Sequence, residues 1–153
     1  MKIPGYGDLD IEDIVCDFNG TVAKEGILLA DAAEVIEELT GKYRVHIITA
    51  DTFGSVAAQV DRLGVELKIL ETGDHTTEKR EYIETLGSTK CAAIGNGNND
   101  LQMLQAAALG IAVIADEGCS VKTLMSADIV CRSGYEALAL FAAPKRLIAT
   151  LRK

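Results

Sequence analysis

The feature that most constrains this chain is a repeating beat, in which short apolar runs alternate with stretches of helical periodicity from residue 11 onward. Ile11 to Asp17, Tyr43 to Ala50, Val65 to Leu70, Cys91 to Gly95, Ile111 to Ile114 and Asp128 to Cys131 read as strands. Between the first two, Ala32, Val35, Ile36 and Leu39 fall at helical spacing, with Asp31 a candidate N-cap and Gly41 a stop. Phe53 to Leu63 is a helix stopped by Gly64, and Thr77 to Leu86 another closed by Gly87. An Ala/Leu-rich helix follows Asp100, a further one separates the last two strands, and Tyr135 to Leu151 forms closing helices broken at Pro144. Val22-Ala23 and Ile27-Leu28-Leu29 flank Lys24-Glu25-Gly26 as a small β-hairpin. Strands separated by helices of about ten residues indicate right-handed βαβ units around a mostly parallel sheet. The expected fold is α/β: one doubly wound, Rossmann-like domain over residues 1–153, helices on both faces, with a hairpin flap at about residues 21–29.

Composition narrows the partners. Hydrophobic residues make up 48% of the 153, which suits one domain with a sizeable core. The longest apolar stretch, Ala106 to Ala115, is interrupted by Gly110 and is too short to span a bilayer. Met1 to Gly5 has no apolar signal core behind it, so a cytoplasmic location is expected. Fifteen basic against 23 acidic residues leave a net charge of −8, which argues against nucleic acid and anionic membranes as partners. The same charge repels phosphorylated substrates. A phosphate site would therefore need a cation, a lysine and backbone N–H groups brought together locally. The four cysteines form no CxxC pair, and three lie in or beside apolar segments, as free thiols do.

In a doubly wound sheet, ligands gather at the carboxyl ends of the strands near the switch in strand order. Four polar clusters fall at such ends: Asp17-Phe18-Asn19-Gly20-Thr21, Thr49-Ala50-Asp51, Thr76-Thr77-Glu78-Lys79 and Asn96-Gly97-Asn98-Asn99-Asp100. Any one of them is what a strand-to-helix turn needs; their coincidence at one edge is what points to a site. Asp17 is either a turn-forming residue bonding its own backbone or a nucleophilic carboxylate activated by a metal and nearby donors. Gly20 permits a turn with N–H groups aimed inward, and Thr21 adds a hydroxyl donor for phosphate. Thr49 is either a β-branched strand residue or, with Ala50 beside it, a phosphate ligand through hydroxyl and main-chain N–H. Lys79 lies in a charged helix, where it either faces solvent or points back to neutralise phosphate and orient Asp17. The asparagine-rich turn ending in Asp100 is either a capping loop or a set of hard oxygens suited to Mg²⁺, the reading favoured here. His46 and His75 match no metal spacing, and Asp51 reads as a cap of the following helix.

Taken together, the four clusters resemble the ordered motifs of the haloacid dehalogenase superfamily over residues 14 to 131. Within it, Thr49-Ala50-Asp51 with Val56 to Gly64, Glu78 to Ile83, Ile94 to Asp100, Ala106 to Val113 and Ser126 to Val130 resemble the phosphorylation domain of P-type ATPases. Without membrane spans, the chain is similar to the stand-alone, so-called soluble members of that group. The resemblance implies that Asp17 becomes an aspartyl-phosphate and that Gly20, Thr49, Ala50 and Lys79 bind the phosphoryl group. It also implies that Asp17, the main-chain carbonyl of Asn19 and Asp100 hold Mg²⁺, with Asn96 in the same loop.

Two positions depart from the pattern. Phosphatases of the superfamily carry Asp two residues after the nucleophile as general acid and base; here that residue is Asn19. An amide exchanges no proton near neutral pH, and such catalysis is worth roughly 10²–10⁴-fold, so slow hydrolysis of the intermediate is expected. Asn96 stands where an acidic residue is usual; its oxygen can ligate, with one negative charge fewer. There is also no room for a cap domain, because only 27 residues separate Thr21 from Thr49. An uncapped site suits a phosphorylated small molecule or a phosphoprotein, or one covered by a second copy in a homo-oligomer. A weakened fold retained for binding or regulation is the alternative to an enzyme, motivated by Asn19 and Asn96.

Overall fold

The computed structural model describes residues 1–51 and 54–153. Among them, six strands form one all-parallel sheet: β1 (Asp13–Asp17), β2 (Arg44–Thr49), β3 (Glu66–Ile69), β4 (Cys91–Gly95), β5 (Leu109–Val113) and β6 (Ile129–Cys131). Their spatial order is β6-β5-β4-β1-β2-β3. The chain thus winds outward one way from β1 to β3, crosses back to β4, and winds the other way. The switch point lies between β1 and β4, where a ligand crevice opens at the carboxyl ends.

Among the described residues, seven α-helices connect and follow the strands: α1 (Ala30–Leu39), α2 (Ser55–Val60), α3 (His75–Leu86), α4 (Leu101–Ala106), α5 (Val121–Ser126), α6 (Gly134–Ala142) and α7 (Pro144–Leu151). Side chains of β1 alternate between two cores, as a pleated strand requires. Ile14 and Cys16 join Val35, Ile36 and Leu39 of α1, Leu138 and Phe141 of α6 and Leu147 of α7 on one face. Val15 joins Ile48, Ala93, Ile83 of α3 and Met103 and Leu104 of α4 on the other. Both faces of β1 are therefore dry, and each fully buried Ile or Leu contributes roughly 1.5–3 kcal/mol. The doubly wound, mostly parallel expectation holds, and among the described residues no cap domain interrupts it.

The element boundaries differ in instructive places. Leu29, in extended conformation, is the N-cap of α1, so Asp31 sits in the first turn and accepts the Ala32 N–H instead. The helix expected from Phe53 begins at Ser55; Phe53 itself lies outside the described residues. His75, expected in a loop, opens α3, because Asp74 caps it by accepting the Thr77 N–H at 3.1 Å. The hairpin is formed by Ala23–Lys24 and Ile27–Leu28, and a second short ribbon pairs Lys2–Ile3 with Gly7–Asp8. No helix among the described residues is long and apolar enough to cross a membrane.

Candidate active site

Strand β1 delivers Asp17 to the carboxyl edge of the sheet, next to the switch point. Helix α3 approaches that edge from one face, and its start is fixed by two carboxylates. Asp74 caps it, and Glu78 accepts the Glu71 and Thr72 N–H groups, which hold its pKa down at about 2. With Glu78 turned to the loop, Lys79 turns to the sheet, where it is 1% exposed. Its Nζ donates to Asp17 Oδ1 and Asp100 Oδ1 at 2.7 Å each. Burial works against the ammonium, but the two carboxylates more than offset that and hold the Lys79 pKa above its usual value. Burial and the Asp100 charge push Asp17 up to about 7, against the pull of Lys79.

The loop after β4 is built around Asp100. Gly95 makes room for it, since a Cβ there would stand 2.5 Å from the Asp100 carboxyl carbon. Asp100 Oδ2 then accepts the N–H groups of Asn96 and Gly97, both at 2.9 Å, while Oδ1 takes Lys79. Asp100 is fully buried and is not part of the cavity wall. Its oxygens are turned back onto the loop and the lysine. Asn96 does face the cavity.

A cavity of about 430 Å³ opens above these groups, walled by Asp17, Asn19, Thr49, Ala50, Lys79 and Asn96, with Asp51, His75 and Glu117 at its sides. Four of the strand-end clusters expected to converge do so. Asn19 is exposed at the rim, and its Oδ1 accepts the Gly26 N–H at 2.8 Å, tying the β1 loop to the hairpin tip. Asp51 Oδ2 accepts the Val56 N–H at 2.8 Å, as a cap of α2 would. Gly20 has the positive φ of +77° that its turn needs, but its N–H donates to Ala23 O at 2.9 Å and it lies off this cavity. That bond closes the turn between the β1 loop and the hairpin. Thr21, also expected to meet phosphate, is buried with its hydroxyl aimed at Asn96 Oδ1, 3.4 Å away.

Two titratable residues of the wall, His75 and Glu117, were not anticipated as site residues from sequence. His75 enters because α3 starts two residues early. Glu117 lies in the turn after β5, a fifth strand end; extending the strand-end rule to that turn would have found it.

A β1 carboxylate, a buried lysine and a carboxylate-bearing loop after β4 thus meet at one edge of the sheet. A family model described as haloacid dehalogenase-like hydrolase matches residues 80–117. An uncharacterised protein of Methanocaldococcus jannaschii is 52% identical over 63 residues, covering 41% of this chain and 68% of that protein. The probable cation-transporting ATPase G of Mycobacterium tuberculosis is 34% identical over 96 residues, or 61% of this chain, but only 12% of the ATPase's length is matched. The crystal structure of 3-deoxy-D-manno-octulosonate 8-phosphate phosphatase from Moraxella catarrhalis, with magnesium and phosphate, superposes with a TM-score of 0.73. That likeness covers 94% of each chain at 20% identity, a statement about fold alone. The chain belongs to the haloacid dehalogenase-like hydrolases, and within them it is similar to the P-type ATPases over the matched segment.

Proposed function

We propose that this protein is a Mg²⁺-dependent phosphohydrolase or phosphotransferase that works through an aspartyl-phosphate on Asp17. The observation that carries the reading is the Lys79 ammonium held between Asp17 and Asp100 on the cavity floor. A carboxylate so fixed keeps one oxygen oriented, and a buried cation beside it offsets phosphoryl charge. In the proposed reaction the free Asp17 oxygen attacks phosphorus as the bond to the leaving oxygen breaks. Water then attacks the same phosphorus, releasing phosphate and restoring the carboxylate. Thr49 and Ala50, which line the same cavity as Lys79, receive the phosphoryl oxygens. Asp100, which does not reach the cavity, acts by positioning Lys79.

The donor set suits a hard divalent cation. Among the described residues no three His, Cys, Asp or Glu side chains converge as a cage, so the ligands are mixed oxygens. Asp17, the main-chain carbonyl of Asn19 and the Asn96 amide oxygen would hold Mg²⁺. When bound there, Mg²⁺ offsets the negative charge gathered on the transferring group.

Asn19 cannot pass a proton to the leaving group or take one from water, so turnover is slow. The open cavity suits a phosphorylated small molecule or a phosphorylated protein side chain, in the cytoplasm, with a second copy of the chain as a cover. Hydrolysis of an aryl phosphate in Mg²⁺ tests the reading. Wild type is expected to turn over slowly and Asp17→Asn not at all. Asn19→Asp keeps the acceptor for Gly26 N–H and regains the proton carrier, so it is expected to gain about 10²-fold. Equal turnover by wild type and Asp17→Asn would sink the proposal.

A further inference from the structure

We propose that Glu117 supplies the metal-site carboxylate that Asn96 lacks, and that the Asn96 amide is the device that holds it there. The inference rests on the metal-dependent reading above. The turn Ala115-Asp116-Glu117-Gly118 follows β5 and closes through a Gly118 N–H to Ala115 O bond at 2.8 Å. It is stapled to the β4 loop at several points. Asn96 Nδ2 donates to Gly118 O at 3.1 Å, the Ser120 N–H donates to Asn96 O at 2.8 Å, and Thr123 Oγ1 donates to Gly97 O at 2.7 Å. Ser120 Oγ adds a bond to Asn98 Oδ1.

The first of these bonds needs a donor. An aspartate at 96 has none, and would face the Gly118 carbonyl oxygen with a second acceptor. The amide that removes a negative charge from the metal loop thus fixes the neighbouring turn, and that turn carries the replacement. Asp116 and Glu117 point apart: Asp116 pairs with Lys24 of the hairpin at 2.8 Å, while Glu117 lies on the cavity wall with Asp17 and Asn96. Gly20 marks where Glu117 and Asn96 meet. A Cβ on Gly20 would stand 2.7 Å from Asn96 Nδ2 and 3.0 Å from Asn96 Oδ1, and would collide with Glu117 Oε2. The absent side chain at Gly20 leaves a cradle in which carboxylate and amide come together beside the Asp17 loop. Both are hard-oxygen donors, and the charge count of such a set tunes its affinity for a divalent cation.

Mn²⁺ binding to the full-length protein, followed by electron paramagnetic resonance at fixed salt with Mg²⁺ as competitor, tests this without relying on turnover. Wild type is expected to bind Mn²⁺, and Glu117→Gln, exposed and isosteric, to bind at least about tenfold more weakly. Asn96→Asp in the Glu117→Gln background is expected to recover most of that loss, because the carboxylate returns to the adjacent loop. Equal Mn²⁺ affinity in wild type and Glu117→Gln overturns the role of Glu117 and leaves the metal-dependent reading standing. A double variant that binds no better than Glu117→Gln overturns the replacement of one carboxylate by the other. No competable Mn²⁺ binding to wild type overturns the metal-dependent reading itself, and Glu117's role with it.

Discussion

Strand β1 carries a buried carboxylate at each end, and the fold surrounds the two in opposite ways. At the amino end, fully buried Asp13 accepts Arg44 Nε at 2.8 Å, Arg44 Nη2 at 2.6 Å and His46 Nε2 at 2.7 Å. His46 Nδ1 in turn meets the Tyr82 hydroxyl at 2.9 Å. Burial pushes the Asp13 pKa up, but the bonds from Arg44 and His46 more than offset it, and the net direction is down. At the carboxyl end, about 13 Å away along the strand, Asp17 and Asp100 share the single cation Lys79. There burial and carboxylate repulsion win, and Asp17 is raised to about 7. One end is a closed network with its acceptors satisfied. The other is left with one negative charge in excess and opens onto a cavity. Buried ion clusters are not in themselves signs of function; the uncompensated one leaves a negative charge for a bound cation to neutralise.

Removing the cation from the uncompensated end should produce the largest change. Lys79→Met leaves Asp17 and Asp100 facing each other without a counter-charge, and a loss of about 3–5 kcal/mol is expected in urea unfolding. A variant as stable as wild type would mean that Lys79 does not hold the two carboxylates together. A smaller effect, about 2 kcal/mol, is expected from Asp13→Asn, which removes the charge that Arg44 and His46 bond. Turnover per folded molecule should be unchanged, because this end touches no substrate. The pH dependence separates the ends further. Asp13 has a depressed folded pKa, so its contribution is present above the unfolded value near 4 and is lost as pH falls through the folded pKa. Wild type should therefore lose stability below about pH 4 more steeply than Asp13→Asn. Asp17 has the reverse sign. Its raised pKa means that the folded state loses stability as pH climbs from about 4 to 7. In metal-free buffer at pH 7.5, Asp17→Asn should melt no lower than wild type and slightly higher, with the difference vanishing near pH 4. A lower Tm for Asp17→Asn at pH 7.5 would show that the two ends are not opposites.

Much of this architecture was legible as periodicity. Strand β4 falls on the expected Cys91 to Gly95, and the Gly87 stop of α3 and the Pro144 break stand where the punctuation put them. The site was legible only as far as strand ends go. Which strand ends converge follows from the winding order, and Asp17, Thr49, Lys79 and Asn96 come together accordingly. What was not legible depends on where single bonds point. Asp100 turns into its own loop because Gly95 leaves space and two N–H groups await it. Gly20 spends its N–H on Ala23. Glu117 was within reach of the strand-end rule, at the turn after β5, but the Asp13 network joins residues 31, 33 and 36 positions apart. No local signal in the sequence reports such pairings.

The central claim is that Asp17 is the phosphoryl acceptor. Intact-protein mass spectrometry under denaturing acid quench, after incubation with Mg²⁺ and an aryl phosphate, tests it most directly. Slow hydrolysis at a site with Asn19 predicts that wild type accumulates the mass of one added phosphoryl group. The adduct should be lost on treatment with hydroxylamine, as an acyl phosphate is, and absent from Asp17→Asn. An adduct of the same size on Asp17→Asn, or turnover by wild type with no hydroxylamine-labile adduct at any time point, would contradict the account.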